Sequence, residues 1–179
     1  NDTYLKGIYS LPASHYLVYE QGRTELVQYY DIAKNSRNDM KEAELTRSIV
    51  ELLEDSIKLR FRSDVPVGTC LSGGFDSSSI VSLASDAGEN NIETFSAVWN
   101  EKDCDESYYI DIVNKRFRCS ANKVIPQESE FAEVFQKLCY YQEIPTEGPG
   151  LYPQWYVMQK AKEKVKVLLD GQGGDEVFG

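Results

Sequence analysis

The sequence predicts an α/β domain, a parallel twisted sheet with helices on both faces, preceded by a short N-terminal β-hairpin. Three observations carry that expectation. Short β-branched and apolar runs alternate with segments of helical periodicity from residue 66 onward, the pattern of parallel strands joined by right-handed crossovers. Two of those runs end abruptly in glycine- and acid-rich loops. The 179 residues, 41% hydrophobic and 27% charged, suffice for one sizeable core with a short appendage.

The elements follow in order. Residues 4–30 read as a hairpin, with His15-Tyr16-Leu17-Val18-Tyr19 and Leu26-Val27-Gln28-Tyr29-Tyr30 on either side of a Gln21-Gly22 turn. Residues 31–41 are polar and read as a linker. From Lys41 to Arg62, Leu45, Ile49, Leu52, Leu53 and Ile57 repeat at helical spacing, which predicts an amphipathic helix with that set facing a core. Its Arg60 and Arg62 complement the helix C-terminus. Val67, Thr69, Cys70 and Leu71 predict the first sheet strand, and Ser77–Ala87 a helix closed by Gly88. A strand over Ile92–Trp99, a helix over Asp105–Arg118, a strand over Asn122–Ile125 and helices over Glu128–Tyr141 and Gln154–Lys164 follow. The last strand is Val165–Leu169. Asp103, Asp105 and Glu106 are read as acids at a helix N-terminus, outside any site.

The stretch Leu71-Ser72-Gly73-Gly74-Phe75-Asp76-Ser77-Ser78-Ser79 lies between a strand and a helix. A glycine-paired, hydroxyl-rich turn opening a helix presents free N–H groups and the positive end of the helix dipole to one small anion. The lysine that follows the last glycine of a Walker loop is absent, as are the three spaced glycines of a dinucleotide fingerprint. The same residues also fit an ordinary N-cap with a tight turn. The second loop, Asp170-Gly171-Gln172-Gly173-Gly174-Asp175-Glu176, follows the last strand. In a parallel sheet, loops at strand carboxyl ends line one crevice, so both loops are expected to face a single nucleotide.

With Ser63-Asp64-Val65-Pro66-Val67-Gly68 ahead of them, these motifs resemble the pyrophosphate loop of the N-type ATP pyrophosphatases. In particular they are similar to the synthetase domain of the glutamine-hydrolysing asparagine synthetase family. The resemblance covers nearly the whole chain. It implies an adenine nucleotide alpha hydrolase-like fold with Rossmann-like layering, residues 1–40 as the end of a glutaminase-like domain and its linker, and residues 41–179 as the first part of the ATP-pyrophosphatase domain. The function implied is ATP-dependent adenylation of a carboxylate, aspartate by default, with release of pyrophosphate and attack by ammonia from glutamine. Asp76, Gln172 and Asp175 are then the expected catalytic residues, with Asp76 and Asp175 as Mg2+ ligands. Leu71, Ser72, Gly73, Gly74, Ser77, Ser78, Val98, Asp170 and Gly171 are expected to contact ATP. Leu71 and Val98 would flank the base, a place for which Ala97 competes.

Two departures qualify the resemblance. Gln172 stands where many members carry a glutamate thought to assist ammonia attack, and an amide cannot serve as a general base. No Arg occurs in residues 143–152 to clamp a substrate carboxylate; Glu143, Thr146 and Glu147 are the polar candidates there. An adenylating amidotransferase or β-lactam synthetase-like enzyme with another acceptor therefore remains open, as does a non-catalytic nucleotide-binding module. The glutaminase cysteine and the C-terminal lysines of the family have no counterpart in these residues, so the isolated chain is expected to be inactive in turnover. A homodimer is a further expectation.

Composition narrows the partners. A net charge of −10 argues against a nucleic-acid surface but leaves room for a nucleotide neutralised by Mg2+ and backbone N–H groups. Cys70, Cys104, Cys119 and Cys139 form no Cys-x-x-Cys pair and have only His15 for company, which disfavours zinc. Reduced thiols, no apolar stretch of membrane-spanning length and no signal-like start make a cytoplasmic location the expectation.

Overall fold

The structure, a computed structural model, describes residues 3–34, 40–101, 103–145, 148 and 150–178. It divides into two compact units, Asn1–Thr46 and Arg47–Gly179.

The first unit is built on β1 (His15–Glu20) and β2 (Arg23–Gln28), an antiparallel pair in register from His15 opposite Gln28 to Glu20 opposite Arg23. Gln21 and Gly22 both take positive φ, 50° and 79°, which matches the turn to the right-handed twist of the strands. Tyr16 and Tyr29 stack with ring centroids 6.3 Å apart. A single 3-10 turn, Ile32–Lys34, follows.

The second unit is the predicted α/β sheet. Its strands are β3 (Val67–Cys70), β4 (Glu93–Ala97), β5 (Ser120–Val124) and β6 (Val167–Leu169), all parallel, in the order β5-β4-β3-β6. The helices are α1 (Glu42–Phe61), which enters from the first unit, α2 (Phe75–Asp86), α3 (Ser107–Phe117), α4 (Phe131–Gln142), α5 (Leu151–Ala161) and α6 (Gly174–Phe178). Alternation along the strands sorts the core onto two faces. Leu71 and Val98 join Val81 of α2 and Ile110 of α3 on one face. Phe95 meets Val157 and Ala161 of α5 on the other, with Cys70, Ala97, Val124 and Leu168 packed against them. Outside α5, Val134 and Leu138 of α4 pack on Tyr152.

Several boundaries differ from the sequence reading, each for a local reason. α2 starts at Phe75 rather than Ser77 because Gly74, extended at φ −72° and ψ 173°, already serves as N-cap. α5 starts at Leu151 because Pro153 falls within its first turn, where a missing N–H costs nothing. α6 is a helix that the loop reading of its glycines concealed. In α1 only Ile57 is buried, packed with Ala84 and Ile92. Leu45 and Leu52, expected in the core, are 45% and 70% exposed; Leu52 sits well off the stripe formed by Ile49, Leu53 and Ile57. Arg60 donates to Ser56 O at 3.0 Å inside the last turns of α1. Among the described residues no helix is long and apolar enough to cross a membrane.

Candidate functional site

β3 has β4 on one side and β6 on the other: the chain winds from β3 through β4 to β5 and then crosses back to set β6 on the opposite side of β3. That reversal opens a crevice at the strand carboxyl ends. The transition out of β3 is fixed by the Leu71 amide, which donates to Phe95 O at 2.9 Å, and by Ser96 Oγ, which donates to Leu71 O at 2.6 Å. β6 is tied to the same strand by Thr69 Oγ1 donating to Leu169 O at 3.2 Å.

The two loops meet at Asp76. A Cβ placed on Gly171 would lie 2.9 Å from Asp76 Cβ and 3.2 Å from Ser77 N, and one on Gly174 would lie 2.6 Å from Asp76 Oδ2. Both contacts are closer than any side chain could occupy, so the second loop rests directly on the N-terminal turn of α2. Gly174 N donates to Gly171 O at 3.1 Å, which curls the second loop over the carboxylate. The first loop is held by Ser77 Oγ, 3.2 Å from the donating Ser72 amide and 3.0 Å from Ser72 Oγ.

Two adjoining cavities result. The smaller, 310 Å3, is bounded by Asp76, Ser77, Gly171, Gly173, Gly174 and Asp175, with Ser72, Asp170 and Gln172 on the side toward the larger. The larger, 560 Å3, shares those three residues and extends past Leu71, Ala97 and Trp99 to the first turn of α5. Among the described residues, no Lys, Arg or His lines either one. Among the described residues, none of Asp76, Asp170 and Asp175 forms an ion pair. Burial, together with the charge and hydrogen bond of Asp170, pushes the Cys70 thiol up to about 12. Asp170 Oδ1 also accepts from the Gln172 amide at 3.3 Å.

Ser72, Asp76, Ser77, Asp170, Gly171, Gln172 and Asp175 are thus brought together, and Leu71 closes the floor of the larger cavity. Four expected contacts fall elsewhere. Val98 is 7% exposed and packs in the core with Val81 and Ile110; strand alternation gives its expected place to Ala97. Gly73 has φ +85°, and a Cβ there would lie 2.8 Å from Tyr109 Cβ, so turn geometry and packing on α3 account for it. Gly74 is the α2 N-cap and lines neither cavity. Ser78 Oγ is buried without a hydrogen-bond partner, turned away from both cavities.

The sequence reading also missed wall residues. Glu106, placed outside the site, lines the larger cavity, as do Trp99 and Gln154. Trp99 follows β4 at its carboxyl end, and the rule that located the two loops applies equally to it. Asp105 does anchor the start of α3: its Oδ1 accepts from Ser107 Oγ at 2.7 Å and from the Ser107 and Trp99 amides, both at 3.2 Å. Thr146 and Glu147 lie outside the described residues.

A switch-point crevice flanked by a helix N-terminus and apposed carboxylates thus lies at the carboxyl ends of a parallel α/β sheet. The sequence pattern of the asparagine synthase family matches residues 48–179, and the chain belongs to that family. Asparagine synthetase [glutamine-hydrolyzing] 1 of Bacillus subtilis is 31% identical over 172 residues, covering 94% of this chain and 26% of that protein. A Methanocaldococcus jannaschii protein, provisionally named a glutamine-hydrolysing asparagine synthetase, is 34% identical over 179 residues, 97% of this chain and 34% of its own length. The chain therefore spans about a quarter to a third of these relatives. Among solved structures, an NH3-dependent NAD synthetase from Campylobacter jejuni aligns with TM-score 0.49 and 13% identity, over 74% of this chain and 60% of that one.

The donor set at the meeting point suits Mg2+. Asp76 and Asp175 offer only hard oxygen ligands and have no basic side chain beside them. The close seat of Asp76 on Gly174 keeps that carboxylate at the cavity wall. Among the described residues no cluster of three or more His, Cys, Asp or Glu side chains forms a metal cage. Two carboxylates completed by phosphate oxygens and water is the usual arrangement for this ion.

Proposed function

We propose that this chain carries the nucleotide-binding part of an ATP-dependent amide ligase, which adenylates a carboxylate and releases pyrophosphate. The observation that carries the reading is the seating of Asp76 against Gly171 and Gly174, which gives two loops far apart in sequence one common floor. The triphosphate lies in the smaller cavity along the α2 N-terminus, and the adenosine in the larger. Ser72 and Ser77 supply hydroxyl donors there, and the first-turn amides of α2 supply the helix-end field. Asp76 and Asp175 would hold Mg2+, which offsets phosphate charge in a crevice otherwise lined by acids.

In the reaction, a carboxylate oxygen bonds to the α-phosphorus while the bond from that phosphorus to the β-bridging oxygen breaks, its electron pair leaving with pyrophosphate. Ammonia then bonds to the acyl carbon, the acyl–oxygen bond breaks with its pair on AMP, and a proton passes from nitrogen to solvent. Gln172, on the wall between the cavities, positions the acyl group by hydrogen bonding and leaves the proton to another acceptor. Aspartate, with ammonia drawn from glutamine by a glutaminase domain, is the default substrate set.

A second reading has one specific observation in its favour. The larger cavity is lined by no Lys, Arg or His, so nothing on its described walls pairs with the second carboxylate of aspartate. A monocarboxylate acceptor fits such walls better. Pyrophosphate release with a panel of carboxylates tests both: activity with aspartate alone supports the first, and activity only with less acidic acceptors supports the second. If MgATP produces no thermal stabilisation and Asp76→Ala changes nothing, both fail.

A further inference from the structure

Trp99 is the wall between the larger cavity and a separate one of 560 Å3. This second cavity is lined by Trp99, Glu128, Phe131, Gly150, Tyr152 and Pro153. Neither of the proposed nucleotide loops contributes to it. Its chemistry differs sharply from that of the phosphate end: three aromatic rings and one carboxylate, with no basic side chain among its described walls.

The rings are held in place. Phe131 and Tyr152 meet edge to face, with centroids 5.0 Å apart and planes at 63°. Tyr152 is 6% exposed, and its hydroxyl is committed to Gln127 O and to Tyr156 Oη, so its ring rather than its hydroxyl is available to the cavity. Trp99 packs on the same cluster as Tyr152, and its amide is bound by Asp105 Oδ1 at 3.2 Å. Phe131, by contrast, is 45% exposed although its ring meets Tyr152 and also stacks on Phe135, with centroids 5.6 Å apart. Glu128, at the rim, forms no ion pair among the described residues. Glu101 and Glu128 also line the groove on the far side of Trp99, with no basic residue among its described walls.

Aromatic faces carry negative charge density, and a cation over them gains about 0.5–2 kcal/mol according to how far it is desolvated. An adjacent unpaired carboxylate adds to the same preference. An anion is disfavoured by Glu128 and by the ring faces, whereas a neutral apolar group gains only burial, since exposed Glu128 stays hydrated beside it. We infer that the Trp99–Phe131–Tyr152 cavity is a subsite for a small organic cation, an alkylammonium group. Its continuity with the larger cavity through Trp99, Gly150 and Pro153 makes that cation the amine-bearing end of the acceptor substrate, an assignment that rests on the ligase reading above.

The test uses the 179-residue chain without nucleotide, so a missing MgATP response would leave it standing and a missing cation response would leave the nucleotide reading standing. Choline and its uncharged carbon isostere are titrated while the indole N–H resonances of Trp99 and Trp155 are followed by NMR. Choline is expected to move the Trp99 signal and to bind about tenfold more tightly than the isostere. Trp155 does not line the proposed subsite but packs on the same Tyr152 cluster, so its signal should move less than that of Trp99. Glu128→Gln, an exposed and conservative change, should reduce the preference to about threefold or less, and Phe131→Leu should weaken choline binding without abolishing the Glu128 effect. Equal binding of the two probes, a preference that survives Glu128→Gln, or movement of Trp155 alone would overturn the assignment.

Discussion

Replacing Gly171 by Ala probes the contact on which the two-loop site depends. The added methyl would lie 2.9 Å from Asp76 Cβ, 3.2 Å from Ser77 N and 3.3 Å from Asp76 C. Two of those atoms belong to backbone at the start of α2, which cannot swing aside as a side-chain tip can. Gly171 is not among the glycines with positive φ, so the cost is steric rather than conformational. Overpacking of this kind costs about 1–3 kcal/mol, which for a chain of this size lowers Tm by roughly 2–12 °C. The second loop should lift from Asp76, and the stabilisation given by MgATP should shrink with it. Glu89→Ala, an exposed change that lines neither cavity, is the control. Differential scanning calorimetry of both variants, with and without MgATP, measures the effect. A Gly171→Ala protein with wild-type Tm and a wild-type nucleotide response would show that the apposition of the loops does not matter.

Other outcomes follow from the same geometry. Gly73→Ala should cost about 2 kcal/mol or more, since its left-handed φ and the approach to Tyr109 add; Gly74→Ala, an N-cap change whose Cβ would meet only Ser72 Oγ at 3.4 Å, should cost at most about 1 kcal/mol, and denaturant midpoints separate the two. Iodoacetamide at mildly alkaline pH should modify exposed Cys104 first and Cys70 last, because the Cys70 thiol is pushed up to about 12 by burial and by Asp170; peptide mapping over time reads the order. The hydroxyl of Ser107, together with the Trp99 and Ser107 amides, holds the Asp105 carboxyl below its ordinary 3.8. A depressed carboxyl stabilises the fold above its unfolded value and loses that contribution as pH falls through the folded one. Asp105→Asn should therefore flatten the acid limb of Tm against pH below about 5, and an unchanged limb would remove Asp105 from the account.

The sheet was readable because β-branched and apolar residues cluster in short runs between helical segments, and β3 and β6 lead into glycine-rich loops. Helix onsets were harder. Pro153 and Gly150 look like loop residues until they are seen as a first turn, and Gly173-Gly174 hides the start of α6 for the same reason. The first loop and the second were both visible as motifs, and the structure adds their contact, which depends on the absence of two Cβ atoms. Strand alternation explains the largest misplacement: Val98 and Ala97 are adjacent in sequence, yet they face opposite layers of the core. Ser78 shares its motif with Ser77, but one helical step of about 100° turns its hydroxyl into the interior. Trp99 and Glu106 escaped notice because neither belongs to a motif, and only the third dimension brings them to the crevice.

The pairing of β3 with β6 joins residues about a hundred positions apart, and the hydrogen bond from Thr69 to Leu169 spans that interval. The crevice cannot exist until this last pairing closes, since one of its two walls arrives with β6. Such long-range closure is entropically demanding and slow relative to local helix formation. A nascent or nicked chain that holds α2 and its N-terminal turn intact still lacks the second wall of the crevice, which forms only when β6 pairs with β3.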